Sequence, residues 1–144
     1  MRRHEKLRRL SRDHQEALVV AMALKAGPNP PYQLAWPSEP EKKREKFLSF
    51  VNSHMLRHMR EEETAIFPLV TAYSPVGRSL CVTLGMEHEL MRKLVAEIKL
   101  AKEPELSELL VDFGSLLEQH IREEERQLFE LMPEIVPQFE MAEL

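Results

Sequence analysis

A thirteen-residue phrase occurs twice in this chain of 144 residues, and both copies carry side chains that bind metal ions in proteins. HMREEETAIFPLV begins at His58 and HIREEERQLFELM begins at His120, with seven identical positions. In each copy a glutamate, Glu62 or Glu124, follows the histidine by four residues. Residues at that spacing lie on one face of a helix, so each copy presents an imidazole beside a carboxylate. Nitrogen and oxygen donors of this kind bind zinc, iron and manganese.

Two more histidines occupy the same kind of helix face. His14 and His88 each fall within a stripe of apolar residues at helical spacing, as the two copies of the phrase do. The stripes comprise Leu7, Leu10, His14, Leu18 and Ala21 in one segment and Cys81, Leu84, His88, Met91 and Val95 in the other. At a rise of ~1.5 Å per residue, all four histidines lie near the middle of their segments and can meet in one layer.

Prolines and glycines divide the chain into four long segments with helical periodicity, residues 3–26, 38–67, 78–102 and 104–131. The second helix begins with a capping-box pattern, Ser38 and Glu41, and Pro68 kinks or ends it, with a last turn reaching Tyr73. Short connections after the second and third helices predict antiparallel neighbours. The predicted fold class is therefore all-α, an up-down-up-down four-helix bundle that forms a single domain over residues 1–144.

The burial of the two glutamates bears on what the polar layer does. A helical wheel at ~100° per residue places Glu62 in the apolar stripe and Glu63 on the outer face. In the second copy it places Glu124 inside and Glu125 outside. Unpaired buried carboxylates carry a large desolvation cost, which two metal cations would offset. The alternative is a polar core held by hydrogen bonds alone, but the convergence of four histidines with two carboxylates favours metal.

His-x-x-x-Glu on the second and fourth helices, with single histidines on the first and third, resembles the hemerythrin-like (HHE cation-binding) family. The resemblance spans the whole chain. It implies two irons joined by an oxo or hydroxo bridge, with a coordination position open for dioxygen. Zinc and manganese are the predicted substitutes for iron. The ligands that it implies are His14, His58, His88 and His120 as terminal ligands and Glu62 and Glu124 as bridging carboxylates.

The sequence departs from the oxygen carriers of that family at Arg92, where those carriers have a second histidine on the third helix. His54 lies one turn before the first repeated phrase, about 40° from its histidine on the wheel, and is predicted to supply the missing metal ligand. The other roles open to His54 are a core histidine and a partner of a ligand. Glu61 and Glu87 are rival candidates for the seventh ligand.

Composition and charge argue against several kinds of partner. The formal net charge of −4 gives no general attraction for nucleic acid or for an anionic membrane. The opening stretch, MRRHEKLRRL, lacks an apolar signal core, and the longest apolar run, residues 17–24, is too short to span a bilayer. We therefore predict a cytoplasmic protein with no nucleic-acid or membrane partner. Cys81, the only cysteine, is predicted to be a packing residue, and His4 to lie on the surface.

A second apolar strip on the third helix lies opposite His88. It contains Met86, Leu90 and Leu94. A helix that is apolar on two sides is covered twice. Either of two elements could cover this strip: the connector that carries Trp36, or a second copy of the chain in a homodimer.

Together these features predict a non-haem di-iron protein that binds or senses dioxygen, a related small oxidant, or iron. The sequence does not separate the roles of carrier, sensor and stress-response protein. Two other classes stay open. A di-iron oxidase or peroxidase-like enzyme would need a substrate pocket beside the metals, and a structural bundle would hold one zinc or other ion without a redox role.

Overall fold

The computed structural model describes residues 5–26 and 35–144, and within these ranges the chain forms five helices and no strands. The helices are α1 (Glu5–Lys25), α2 (residues 40–73), α3 (Pro75–Leu100), α4 (residues 105–135) and α5 (Gln138–Ala142). The all-α class is confirmed, and α5 was not predicted. The predicted helix start at Arg3, the surface position of His4 and most of the connector before Trp36 lie outside the described residues.

Helix ends differ from the sequence prediction at three places. The predicted capping box is wrong, because Glu39 is the residue that caps α2 and it makes no side-chain capping bond. α3 begins at Pro75, three residues early, because the Ser74 hydroxyl accepts a hydrogen bond from the Gly77 N–H at 2.9 Å. α4 continues past Pro133 to residue 135. α2 does run through Pro68 to Tyr73, as predicted.

Turns of π-helix interrupt α2 and α4. They span Val51–Met55 and Glu62–Ile66 in α2, and Glu124–Leu128 in α4. In each turn an N–H bonds to the carbonyl five residues earlier, as from Phe67 to Glu62. Such turns are frequent at functional sites. Two of the three begin at a glutamate of the repeated phrase. A helical wheel drawn with one constant angle per residue therefore misplaces the residues that follow these glutamates.

Apolar side chains form two clusters on either side of a polar layer. The first includes Phe47, Met91 and Phe113, and the second includes Leu10, Ile66 and Phe129. Along α1 and α3 the second cluster precedes the histidine and the first follows it. In α2 and α4 the order is reversed, apart from Met59 and Ile121 of the first cluster, which come directly after the histidines. Cys81 packs in the second cluster, where burial raises the pKa of its thiol to about 11.

α1 and α4 approach each other closely along their length. A Cβ atom at Gly114 would lie 2.8 Å from the Ala21 carbonyl oxygen, so only glycine allows this approach without a shift of the backbone. The close packing fixes the position of α1, and with it His14, relative to the end of α4 that carries Glu124.

The surface of α3 retains part of the predicted apolar strip. Met86 is 68% exposed and Leu90 is 44% exposed, whereas Leu94 packs against the first cluster, as Trp36 does. The homodimer through this strip stays a prediction. None of the helices in the described residues has the combination of length and apolar character that crossing a bilayer requires.

Candidate metal centre

Six buried side chains from the four long helices meet between the two apolar clusters. Their exposed fractions lie between 0% and 7%. They form two groups of four residues, each with two histidines and both glutamates, in which one donor atom per residue lies within 4.8 Å of the others. The first group is His14, His58, Glu62 and Glu124, and the second is His88, His120, Glu62 and Glu124.

Both glutamates belong to both groups because each directs one oxygen toward each group. In Glu62, Oε2 lies 3.2 Å from Nε2 of His58, and Oε1 lies 3.1 Å from Nε2 of His88. In Glu124, Oε1 lies 2.9 Å from Nε2 of His14, and Oε2 lies 3.5 Å from Nε2 of the histidine one turn earlier in α4. Two carboxylates divided in this way can bridge two cations.

A further carboxylate contacts the outer nitrogen, Nδ1, of each histidine. The pairs are His14 with Glu125 at 3.2 Å, His58 with Asp13 at 3.1 Å, His88 with Glu63 at 2.8 Å and His120 with Glu87 at 2.7 Å. A carboxylate acceptor at Nδ1 assigns the ring proton to that nitrogen. In the neutral form of each ring, Nε2 then keeps a lone pair directed into the layer.

The Nε2 atoms of the four histidines lie in two close pairs. The Nε2 atoms of the α1 and α2 histidines are 3.0 Å apart, and those of the α3 and α4 histidines are 3.2 Å apart. Oε1 of Glu62 and both carboxylate oxygens of Glu124 are buried without a hydrogen bond. Such atoms are costly to bury alone. Two ligands at ~2.1 Å from one ion lie about 3 Å apart when they meet at a right angle, so the spacing fits cations in both groups.

The carboxylates also hold the pKa of three histidines above the usual range. Burial lowers the pKa of His14, but its contacts with Glu124 and Glu125 outweigh this effect and raise the pKa to about 12. The same balance between burial and neighbouring carboxylates raises the pKa of His58 to about 9 and that of His120 to about 10. Protons therefore compete with cations for these nitrogens, and metal binding releases the protons.

A small cavity adjoins both groups. Its volume is about 20 Å³, and its walls include His14, His58, Glu62 and Glu124 with apolar side chains such as Met59. A cavity needs roughly 10–15 Å³ on this measure to hold one water molecule. The cavity therefore has room for a water-sized molecule beside these residues, and none for an organic substrate.

The wheel misplaced two of the supporting carboxylates. Glu63 and Glu125 were predicted to face outward, and that prediction is wrong because they bond to His88 and His14 across the helix interfaces. The sequence does contain a signal for all four supporting carboxylates, since each lies next to a residue of the layer. Asp13 and Glu87 immediately precede a histidine of the layer, and the other two immediately follow its glutamates.

The phenylalanine that both phrases contain also contacts a histidine of the layer. Phe67 stacks on His88 and Phe129 stacks on His14, with ring centroids 5.4 Å apart in both pairs. Each phrase therefore supplies a histidine of the layer, a glutamate common to both groups, a supporting glutamate and an aromatic ring that stacks on a histidine.

The rival candidates for a seventh ligand lie outside both groups. Glu61 pairs with Arg9 at 2.8 Å, and Glu87 bonds to Nδ1 of His120. His54 stacks on Phe50 and belongs to the first π-helical turn of α2, where residues advance by less than 100°. The 40° offset assumed for His54 from a regular helix therefore does not hold.

An all-helical protein with four imidazoles and two carboxylates in two adjoining donor groups is a cation-binding domain. Comparison with known families gives the same answer: the chain matches the hemerythrin HHE cation binding domain over residues 1–132 and belongs to that family. The resemblance predicted from the sequence is thereby confirmed. Searches of curated proteins and of solved structures find no match to the chain.

Proposed function

We propose that the protein binds two iron ions in the buried layer and uses them to bind or sense dioxygen or a related small oxidant. The observation that carries the proposal is the division of Glu62 and Glu124 between the two groups, one oxygen to each. Iron would supply the redox chemistry. The chain's own residues hold the ions through Nε2 of four histidines, orient those rings from Nδ1 and exclude bulk water.

The donor set and the cavity favour this function over the two alternatives. A structural zinc site is usually a closed tetrahedron rich in cysteine, whereas the layer contains only imidazoles and carboxylates and adjoins a cavity. An oxidase that acts on an organic substrate would need a pocket of roughly 300–1,000 Å³ beside the metals. The cavity of about 20 Å³ suits a diatomic ligand instead.

We also propose that the four long helices form an up-down-up-down bundle around this layer. The support is the order of the apolar clusters, which reverses from each long helix to the next. In such a bundle, ligands from facing helices project into one central layer.

The test of the dioxygen proposal is an optical spectrum of protein loaded with ferrous iron under argon and then exposed to air. We expect new near-ultraviolet and visible bands in the iron protein and none in a zinc-loaded control. Leu117→Phe puts a larger side chain in the wall of the cavity, and this variant should keep the metal but form the bands more slowly. A spectrum that dioxygen leaves unchanged in protein with full iron content would contradict the proposal.

A further inference from the structure

The ring of His88 is held at both nitrogens by consecutive glutamates of α2. Nε2 lies 3.1 Å from Oε1 of Glu62, on the side of the layer, and Nδ1 lies 2.8 Å from Oε2 of Glu63. Phe67 stacks on the same ring, and His88 has no exposed surface. The position of the Glu63 carboxylate therefore determines how the ring is oriented toward the layer.

Arg92 contacts the second oxygen of that carboxylate. Its Nη2 donates to Oε1 of Glu63 at 2.8 Å, while Oε2 contacts His88. Arg92 follows His88 by four residues, so α3 presents a guanidinium and an imidazole on one face. Together they hold one carboxylate of α2 at both of its oxygens. The other terminal nitrogen of Arg92, Nη1, donates to Glu89, which anchors the guanidinium from α3 itself.

The second contact matters because Glu63 lies at the edge of the protein interior. The side chains of Glu63 and Arg92 are each 32% exposed, unlike the buried residues of the layer. A glutamate side chain has several rotatable bonds, and water competes for the hydrogen bonds of an exposed carboxylate. A charge-assisted bond to a guanidinium restricts the carboxylate to the position from which it supports His88.

The internal repeat shows that this arginine belongs to one donor group only. The two phrases correspond with an offset of sixty-two residues, and the histidines of α1 and α3 with an offset of seventy-four. Glu63 therefore corresponds to Glu125, and Arg92 corresponds to Leu18, which has no hydrogen-bond donor in its side chain. The hydroxyl of Ser11 lies 2.9 Å from Glu125 instead. The two donor groups are thus supported by different chemistry.

We propose that Arg92 is a positioning residue for the metal ion held by His88 and His120: it fixes Glu63, and Glu63 fixes the His88 ring with Nε2 directed at the ion. This rests on the proposed function only in that His88 must hold a metal ion. The positive charge of Arg92 also repels a cation, but solvent screens a guanidinium that is 32% exposed. Loss of orientation therefore outweighs loss of repulsion, and removal of Arg92 weakens metal binding.

The test uses proton NMR of the cobalt(II)-loaded chain, in which the Nδ1–H of each imidazole bound to cobalt gives a strongly shifted, solvent-exchangeable signal. Glu63→Ala identifies the His88 signal, because it removes the acceptor of that proton. We expect Arg92→Leu to alter the same signal, with about tenfold faster proton exchange, and to leave the other signals unchanged. The cobalt affinity of one ion should fall by about threefold to tenfold, less than the ~10–100-fold expected for Glu63→Ala.

Two further variants separate positioning from charge. Arg92→Lys keeps a cationic donor beside Glu63 and should restore the His88 signal and most of the affinity. Lys93→Leu removes the same charge from the adjacent, exposed position of α3 and should behave as the wild type. Circular dichroism confirms that each comparison is made between folded proteins.

The outcomes distinguish this role from the proposed function. If the signal that Glu63→Ala alters is unchanged in Arg92→Leu, or if Lys93→Leu weakens binding equally, the positioning role is wrong. If Glu63→Ala alters no signal, His88 holds no ion, and the dinuclear proposal fails together with the role of Arg92. An iron spectrum that dioxygen leaves unchanged, beside the expected change in the His88 signal, would refute the oxidant proposal and uphold the role of Arg92.

Discussion

Glu62→Ala and Glu124→Ala are each expected to remove both metal ions, not one. Each glutamate supplies an oxygen to both donor groups, so either substitution leaves two incomplete sites. Loss of a supporting partner alone weakens metal binding by about 10–100-fold, and loss of a shared ligand should exceed this range. Metal content after dialysis against a fixed level of free ferrous iron measures the effect. Glu62→Gln gives the same test with the side-chain volume retained.

Neighbouring glutamates provide graded controls. Glu61→Ala should keep both ions, because Glu61 pairs with Arg9 and belongs to neither group. Glu63→Ala and Glu125→Ala should lose more metal than Glu61→Ala and less than Glu62→Ala. We expect their metal affinity to fall by ~10–100-fold, as for other residues that orient a ligand histidine. If Glu62→Ala lost no more metal than Glu61→Ala, the assignment of the shared carboxylate would be wrong.

Metal is expected to raise the melting temperature, and to raise it more at pH 9 than at pH 6. An ion that binds only the native state at 100 times its dissociation constant adds about 2.7 kcal/mol of stability, so two ions should shift the midpoint by roughly 10–20 °C. In the metal-free protein the pKa of His58 is raised from 6.5 to about 9. The stability from that shift is fully present below pH 6.5 and is lost as pH rises through 9. Metal binding requires the deprotonated ring, so the affinity for metal rises between pH 6.5 and pH 9.

Thermal unfolding with a chelator and with ferrous iron under argon, at both pH values, measures these shifts. The chelated protein should still fold, because protons on the histidines offset the buried carboxylates. Equal midpoints with chelator and with iron at pH 9 would show that the layer holds no metal. If the difference between the midpoints with iron and with chelator were smaller at pH 9 than at pH 6, protons and metal would not compete for these histidines.

The six donors could be found from sequence because their signal is periodic. His14, His58, His88 and His120 interrupt apolar stripes, and a residue on such a stripe faces the core. Pattern and spacing also identified the four long helices, since prolines and glycines mark their ends. The short helix α5 lacks a long apolar repeat and was not predicted.

The supporting residues could not be placed in the same way, because their roles depend on contacts between helices. Glu63 and Glu125 lie at the rim of the stripe, and only the packing of α2 on α3 and of α4 on α1 turns them toward a histidine. The π-helical turns add a second difficulty, since a wheel assumes one angle throughout a helix. His54 lies in such a turn. The sequence therefore predicted it as a ligand, whereas in the structure its Nε2 lies 3.3 Å from carboxylate oxygens of Asp13 and Glu16.

The central claim is that two cations share Glu62 and Glu124, and the most direct test is the number of irons bound at saturation. Reconstitution with ferrous iron under argon, followed by elemental analysis against protein concentration, should give two irons per chain. A saturated value of one, in folded protein, would contradict the shared-carboxylate site.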